Sequence, residues 1–256
     1  MRGLDGTVAI VAGARPGNIA AATAVRLAEE DVTVVVADLD ESAAQAVVAE
    51  IQELDGTAAA QSLDVSNEAS YEALIGFTVK EFGRVDGLFN VAADLSARAG
   101  VHDRDVTSGP PDLWRHTVDV ALTGCMYGIR HVMPVMIKQG GGAIVNAVST
   151  SAWTGQDGRV AFQAANAGLN GLTRRTATLG GKHGVRCNSV AGGVILTRVA
   201  LANTTEEWRT EILASVPAPR LGIPEDLAAM VAFLFSDDAA YVNGQTIHID
   251  GGANFT

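Results

Sequence analysis

Short β-branched runs alternate along this chain with longer stretches in which apolar positions recur every three or four residues. Runs 7–12, 32–38, 57–64, 85–92, 143–149, 185–190 and 245–249 are candidate strands, nearly continuous in apolar residues at 7–12 and 32–38 and more mixed elsewhere. That is the pattern of strands covered on both faces. Between them, 20–30, 42–54, 69–82, 112–138 and 158–180 carry apolar side chains at helical spacing. The β-α-β-α alternation predicts a parallel sheet with right-handed crossovers and helices on both faces. No linker, repeat or low-complexity tract interrupts it, so residues 1–256 read as one domain. Two stretches break the rhythm. Residues 94–111 are polar and irregular, with Gly100, Gly109 and Pro110-Pro111, and 192–205 are weakly patterned ahead of Trp208. Both follow strands, at the carboxyl ends where open sheets bind ligands. They are candidate substrate-facing loops; the plainer alternative is surface connections.

Composition narrows the classes. With 48% hydrophobic and 18% charged residues the chain can build a large core, which excludes disorder. A net charge of −11 argues against nucleic acid and against anionic membrane surfaces. No uninterrupted apolar run reaches about 18 residues, so no transmembrane helix is predicted. Residues 1–6 carry no apolar signal core, and a cytoplasmic location is expected. Cys125 and Cys187 fit neither a disulfide framework nor a zinc spacing and read as reduced core thiols.

The first strand runs into Ala12-Gly13-Ala14-Arg15-Pro16-Gly17-Asn18-Ile19-Ala20 and then a helical pattern. Glycines there let the backbone approach a pyrophosphate, and the helix N-terminus offers it free N–H groups. Asp38 ends the second strand. A carboxylate at that place accepts a ribose 2′-hydroxyl and repels a 2′-phosphate, favouring NAD over NADP. The alternative is a turn residue ahead of Asp40 and Ser42.

From about Leu4 to its end the chain resembles the short-chain dehydrogenase/reductase family. That family opens with a TGxxxGxG turn. With one residue inserted, Gly13 matches its first glycine, Asn18 replaces the second, Ile19 keeps the apolar slot and Ala20 replaces the third. Asn tolerates left-handed backbone better than most residues. An ungapped alignment puts Ile19 in the third glycine slot instead. The turn is also similar to that of the enoyl reductase branch, which ends in Ser-Ile-Ala. Leu63-Asp64-Val65 resembles the adenine-contacting DV pair. Asn90-Val91-Ala92-Ala93 resembles the NNAG turn. The segment from Ala191 to Thr197 resembles a PG…T segment whose Thr holds the nicotinamide carboxamide. Arg220 to Asp226, Asn243-Gly244-Gln245 and Asp250-Gly251-Gly252 are close to the C-terminal pattern. The resemblance implies a doubly wound Rossmann sheet in the order 3-2-1-4-5-6-7 and an NAD site drawing on Gly13, Arg15, Asn18, Ile19, Asp38, Asp64, Val65, Asn90, Asn166 and Thr197. It also implies a small-molecule substrate and a homodimer or homotetramer built on 112–138 and 158–180, where Ala164-Ala165-Asn166-Ala167-Gly168 allow close helix approach.

The family's catalytic side chains are an Asn, a Ser, a Tyr that passes a proton to the substrate oxygen, and a Lys four residues on that lowers the Tyr pKa. In this register Ser149 is the surviving Ser, with a strand-end serine bonded to backbone as the alternative. Phe162 stands at the Tyr position, Asn166 at the Lys and Ala121 at the Asn. Phenylalanine has no exchangeable proton. Asn166 brings no charge, although its amide can still bond a ribose hydroxyl. Tyr71, Tyr127, Tyr241 and His102 are weak substitutes. Thr150, Ser151, Gln156, Asp157 and Gln163 offer a polar, non-redox pocket, with Trp153 as a wall or as simple packing. Two classes follow: an NAD-linked oxidoreductase with impaired or replaced proton transfer, or a non-redox protein on the same fold (a pseudoenzyme, or a cyclase, isomerase or lyase).

Overall fold

The computed structural model describes residues 1–94, 96–154 and 158–254. Seven parallel strands form one sheet in the predicted order β3-β2-β1-β4-β5-β6-β7. They are β1 (Val8–Ala12), β2 (Thr33–Asp38), β3 (Ala58–Ser62), β4 (Gly87–Asn90), β5 (Gly142–Ser149), β6 (Val185–Gly192) and β7 (Thr246–Ile249). Alternation explains the continuous apolar runs, because successive side chains point to opposite faces. Ala9 and Val11 of β1, with Val34 and Val36 of β2, pack into one layer against α1 (Ile19–Ala28) and α2 (Glu41–Glu53). Val8 and Ile10, with Val35 and Ala37, face the other layer. That second layer holds α3 (Glu68–Phe82) and the helix running from Pro111 to Gln139.

The irregular stretch 94–111 contains a short helix, α4 (Ala97–His102). The predicted helix 112–138 is a run of 29 residues made of α5 (Pro111–Val118), a wide π turn at Asp119–Thr123 and α6 (Gly124–Gln139). By length and apolarity it is the one helix among the described residues able to cross a membrane, although no uninterrupted apolar run marks it. Here Ile129, Val132 and Met136 bed it against the sheet. After β5 come α7 (Ser151–Thr154) and the 21-residue α8 (Val160–Gly180).

The stretch 192–205 is likewise more regular than its sequence suggests. It carries α9 (Arg198–Asn203), and α10 (Glu206–Ala214) follows. Neither contains a buried residue, so neither leaves a strong periodic signal. The sequence pattern also conceals α11 (Pro224–Phe235), whose apolar residues are too dense to show a face. Leu227, Val231, Ala232 and Leu234 of this helix complete the layer around α1.

Candidate active site

The β1–α1 turn places its glycines where backbone needs them. Gly13 has φ +104, and a Cβ there would come within 2.9 Å of the Ala92 Cα, so side-chain-free backbone lets β1 and the segment after β4 close together. Gly17, φ +77, lies against the Arg198 side chain. The expectation of left-handed backbone at Asn18 is corrected: Asn18 is extended (φ −110) and works as the N-cap of α1. Its Oδ1 accepts the Ala21 N–H at 2.8 Å and its Nδ2 donates to the Gly13 carbonyl at 2.7 Å. Ala20 is fully buried in its small slot, and Ile19 packs partly buried on the same layer. The Arg198 N–H donates to the Gly17 carbonyl at 2.9 Å, which brings α9 to this turn. Thr197 caps α9 by accepting the Ala200 N–H.

Asp38 is buried at the end of β2 and is held by Arg15, whose Nη2 and Nε donate to its two oxygens at 2.5 and 3.3 Å. Asp38 also accepts the Asp40 N–H, while Asp40 itself caps α2. Asp64 accepts the Ser66 N–H and hydroxyl. Val65 lies against Gly124, where a Cβ would come within 2.6 Å of its carbonyl oxygen. Asn90 is turned into the core: it accepts from Tyr71 Oη at 3.2 Å and donates to Asn146 at 2.9 Å. Asn146 passes the chain on to Thr173, which bonds Ser189. Asn90, Asn146 and Ser189 stand in register on neighbouring strands, so this polar row crosses the centre of the sheet.

At the end of β5, Ser149 N–H donates to Asn166 Oδ1 at 2.8 Å, and Asn166 Nδ2 donates to the Phe162 carbonyl at 2.7 Å. The carboxamide at residue 166 is thus buried and tied to protein. Ser149 Oγ accepts the Ser151 N–H at 3.2 Å and pairs with the Ser151 hydroxyl at 2.9 Å. Thr150 donates to the Gly192 carbonyl. Ala121 is buried in the π turn. The Phe162 ring, in the first turn of α8, is half-buried and lies 4.9 Å from the Arg159 guanidinium carbon. Asp103, buried at the end of α4, accepts the N–H groups of Ala161 (2.7 Å) and Phe162 (3.3 Å). Sequence reasoning missed Asp103 and Arg159 because these contacts span about sixty residues and follow no motif.

A cleft of about 780 Å³ opens beside this region. Ser149, Thr150, Ser151, Ile195, His248 and Asp250 are among its walls; Phe162 and the β1–α1 turn are not. Trp153 packs against His248 with ring centroids 4.8 Å apart and planes tilted by 56°, and His248 was also missed in the sequence. Tyr71 is enclosed in the core, Tyr127 packs against the second layer, and Tyr241 and His102 face solvent. Gln156 and Asp157 lie outside the described residues.

A doubly wound parallel sheet with a glycine-bearing β1–α1 turn and an acidic residue ending β2 defines the dinucleotide-fold class of α/β proteins. The sequence profile described as enoyl-(acyl carrier protein) reductase matches residues 13–254. The 7α-hydroxysteroid dehydrogenase of Bacteroides fragilis is 37% identical over 252 residues, 98% of this chain and 96% of that protein. The cyclohexanol dehydrogenase of an Acinetobacter species is 36% identical over 95% of this chain and 93% of its own. A solved 7α-hydroxysteroid dehydrogenase, complexed with NADH and 7-oxo-glycochenodeoxycholic acid, matches with a TM-score of 0.89 and 32% identity over 97% of this chain and 94% of that chain. Levodione reductase matches at 0.88, with 33% identity over 97% of each. The chain belongs to the short-chain dehydrogenase/reductase family.

Proposed function

We propose that this chain binds NAD(H) and that its carbonyl/alcohol oxidoreduction is strongly slowed, because no proton donor stands at residue 162. The supporting observation is the Phe162 ring in the first turn of α8, where the family's phenol belongs. Gly13, Arg15, Asn18 and Ile19 fit the pyrophosphate and adenosine side, with Asp38 at the ribose. Asp64 and Val65 fit the adenine, and Thr197, at the start of α9, the nicotinamide end. The NADH complex of a relative alike over nearly its full length supports the choice of dinucleotide. Two assignments shift in character. Asn90 acts through the core network rather than by touching the ligand with its side chain. Asn166 holds β5 to α8 instead of a ribose.

Bound nicotinamide supplies the hydride. The chain's part is to place a substrate oxygen and manage its proton. Ser149 retains a hydroxyl facing the cleft, so substrate positioning survives. Phe162 neither gives nor takes a proton, Asn166 adds no charge, and Ala121 offers no side-chain amide. Losing positioned proton transfer costs roughly 10²–10⁴ in rate. NADH titration followed by a carbonyl and alcohol panel tests this reading. Binding is expected, with slow turnover that rises sharply in Phe162→Tyr. No measurable NADH affinity, or fast turnover by the unaltered chain, overturns it.

A further inference from the structure

We propose that Arg159 is an anion-recognition residue, and that its guanidinium, held over the Phe162 ring, receives a carboxylate of the small-molecule ligand. The inference names a ligand class for the substrate side of the site proposed above and rests on that reading for the ligand's place.

A guanidinium carries five N–H donors and stays charged at any physiological pH. Arg159 has a side chain 20% exposed, so most of its water is gone. One arm, Nη2, donates to the Asp94 carbonyl at 2.6 Å, a neutral acceptor. Nε is buried and has no hydrogen-bond partner. Among the described residues the carboxylate paired with it is Asp103, 3.8 Å from Nε, an ion pair beyond hydrogen-bond distance. Its oxygens already accept from Ala161 and Phe162, at the N-terminus of α8. The Asp94 carboxylate accepts the Ser96 N–H and stands 3.9 Å from His116. Burial pushes the Arg159 pKa down, and the charges of Asp103 and Asp94 pull it back.

A cation withdrawn from water this far is ordinarily paired with a hydrogen-bonded carboxylate. Among the described residues this one has an aromatic face, a main-chain carbonyl and an ion pair to Asp103 without a hydrogen bond, in a chain whose net charge is −11. What it lacks is a planar, two-pronged acceptor, the shape of a carboxylate. The Arg159 guanidinium carbon stands 4.9 Å over the Phe162 ring, within cation–π range. The side chain at the family's proton-donor position therefore becomes the support for a charge.

Calorimetric titration of the full chain with benzoate and cyclohexanecarboxylate, each against its neutral amide, tests this with and without NADH. Carboxylates are expected to bind about tenfold or more tightly than amides. Arg159→Gln should abolish that preference, Arg159→Lys should keep part of it, and NADH affinity should be unchanged in both. Equal binding of acid and amide, a preference that survives Arg159→Gln, or no carboxylate binding at all overturns the proposal. A carboxylate preference that depends on Arg159 in a chain with no NADH affinity would sink the dinucleotide reading and leave this one standing. A ligand-free measurement stands beside it. In Phe162→Tyr the new phenol shares its ring with the Arg159 contact; Asp103 sits at the main chain of residue 162, and Asp94, itself near His116, at another arm of Arg159. The phenol's ultraviolet titration midpoint should lie about 1 pH unit or more below that of Phe162→Tyr with Arg159→Gln. Coincident midpoints would show that Arg159 does not charge this site.

Discussion

At the end of β2 the carboxylate of Asp38 is gripped on both oxygens by Arg15. The pair makes a specific expectation about the cofactor. Asp38→Ala removes the group that repels a 2′-phosphate and frees a guanidinium able to bind one. The ratio of NADP to NAD affinity should rise at least about tenfold, the change expected when one charge-assisted hydrogen bond forms. Fluorescence titration with the two reduced cofactors measures it, and an unchanged ratio removes Asp38 from the ribose site. The conformation at Gly13 was legible because left-handed backbone beside a close neighbour favours a residue without a side chain, and Asp38 stood out as the acidic end of an apolar strand. The geometry of Asn18 was not legible: its side chain bonds two main-chain groups, a cap that motif comparison does not show. Asn90 looked like a ligand contact, yet its amide ends meet partners 19 and 56 residues away in the chain.

Among the elements, α8 shows how a distant residue governs a helix start. Asp103 closes its N-terminus from 58 residues away. Asp103→Ala should cost about 1–2 kcal/mol, the upper part of the range for a lost N-cap, since the freed N–H groups lie in a partly buried site. Urea unfolding measures it, and an unchanged midpoint would show that water replaces the cap at no cost. The strands and the five long helices could be read from periodicity because each buries a face. The surface helices α9 and α10 bury none, and α11 is apolar almost all round, so the same test is blind to them. The π turn at Asp119–Thr123 is similarly invisible, because one extra residue in a turn changes no composition.

For the whole molecule, the parallel sheet followed from the alternation of strands and helices plus crossover handedness, whereas the strand order came from the family resemblance. What alternation does not reveal is the polar row through the centre of the sheet. Asn146 bonds both Asn90 and Thr173 there. Asn146→Ala leaves the buried Asn90 amide without its acceptor and takes one of two partners from Thr173, and should destabilise the fold by about 2–3 kcal/mol. A chemical denaturation midpoint equal to that of the unaltered chain would sink the view that the row holds the strands. Burial also governs the thiols: it pushes Cys125 and Cys187 up to about 12. The folded chain holds these protons while an unfolded chain loses them from about pH 8.5. Stability from this source is therefore complete below about pH 8.5 and falls as pH rises toward 12. Thermal unfolding from about pH 8 upward should show the decline, and Cys125→Ala with Cys187→Ala should flatten it.

The carboxamide of Asn166, fastened between strand and helix, gives the scaffold a history-like asymmetry. Restoring an ammonium at that place would deprive the Ser149 N–H of its acceptor, a loss of about 1–3 kcal/mol for a buried donor left alone. The hydroxyl of residue 162 can return at small cost, but the lysine comes back only against a structural debt. A lysine at residue 166 must therefore loosen the joint that now keeps Ser149 in line, whereas a tyrosine at residue 162 leaves that joint untouched.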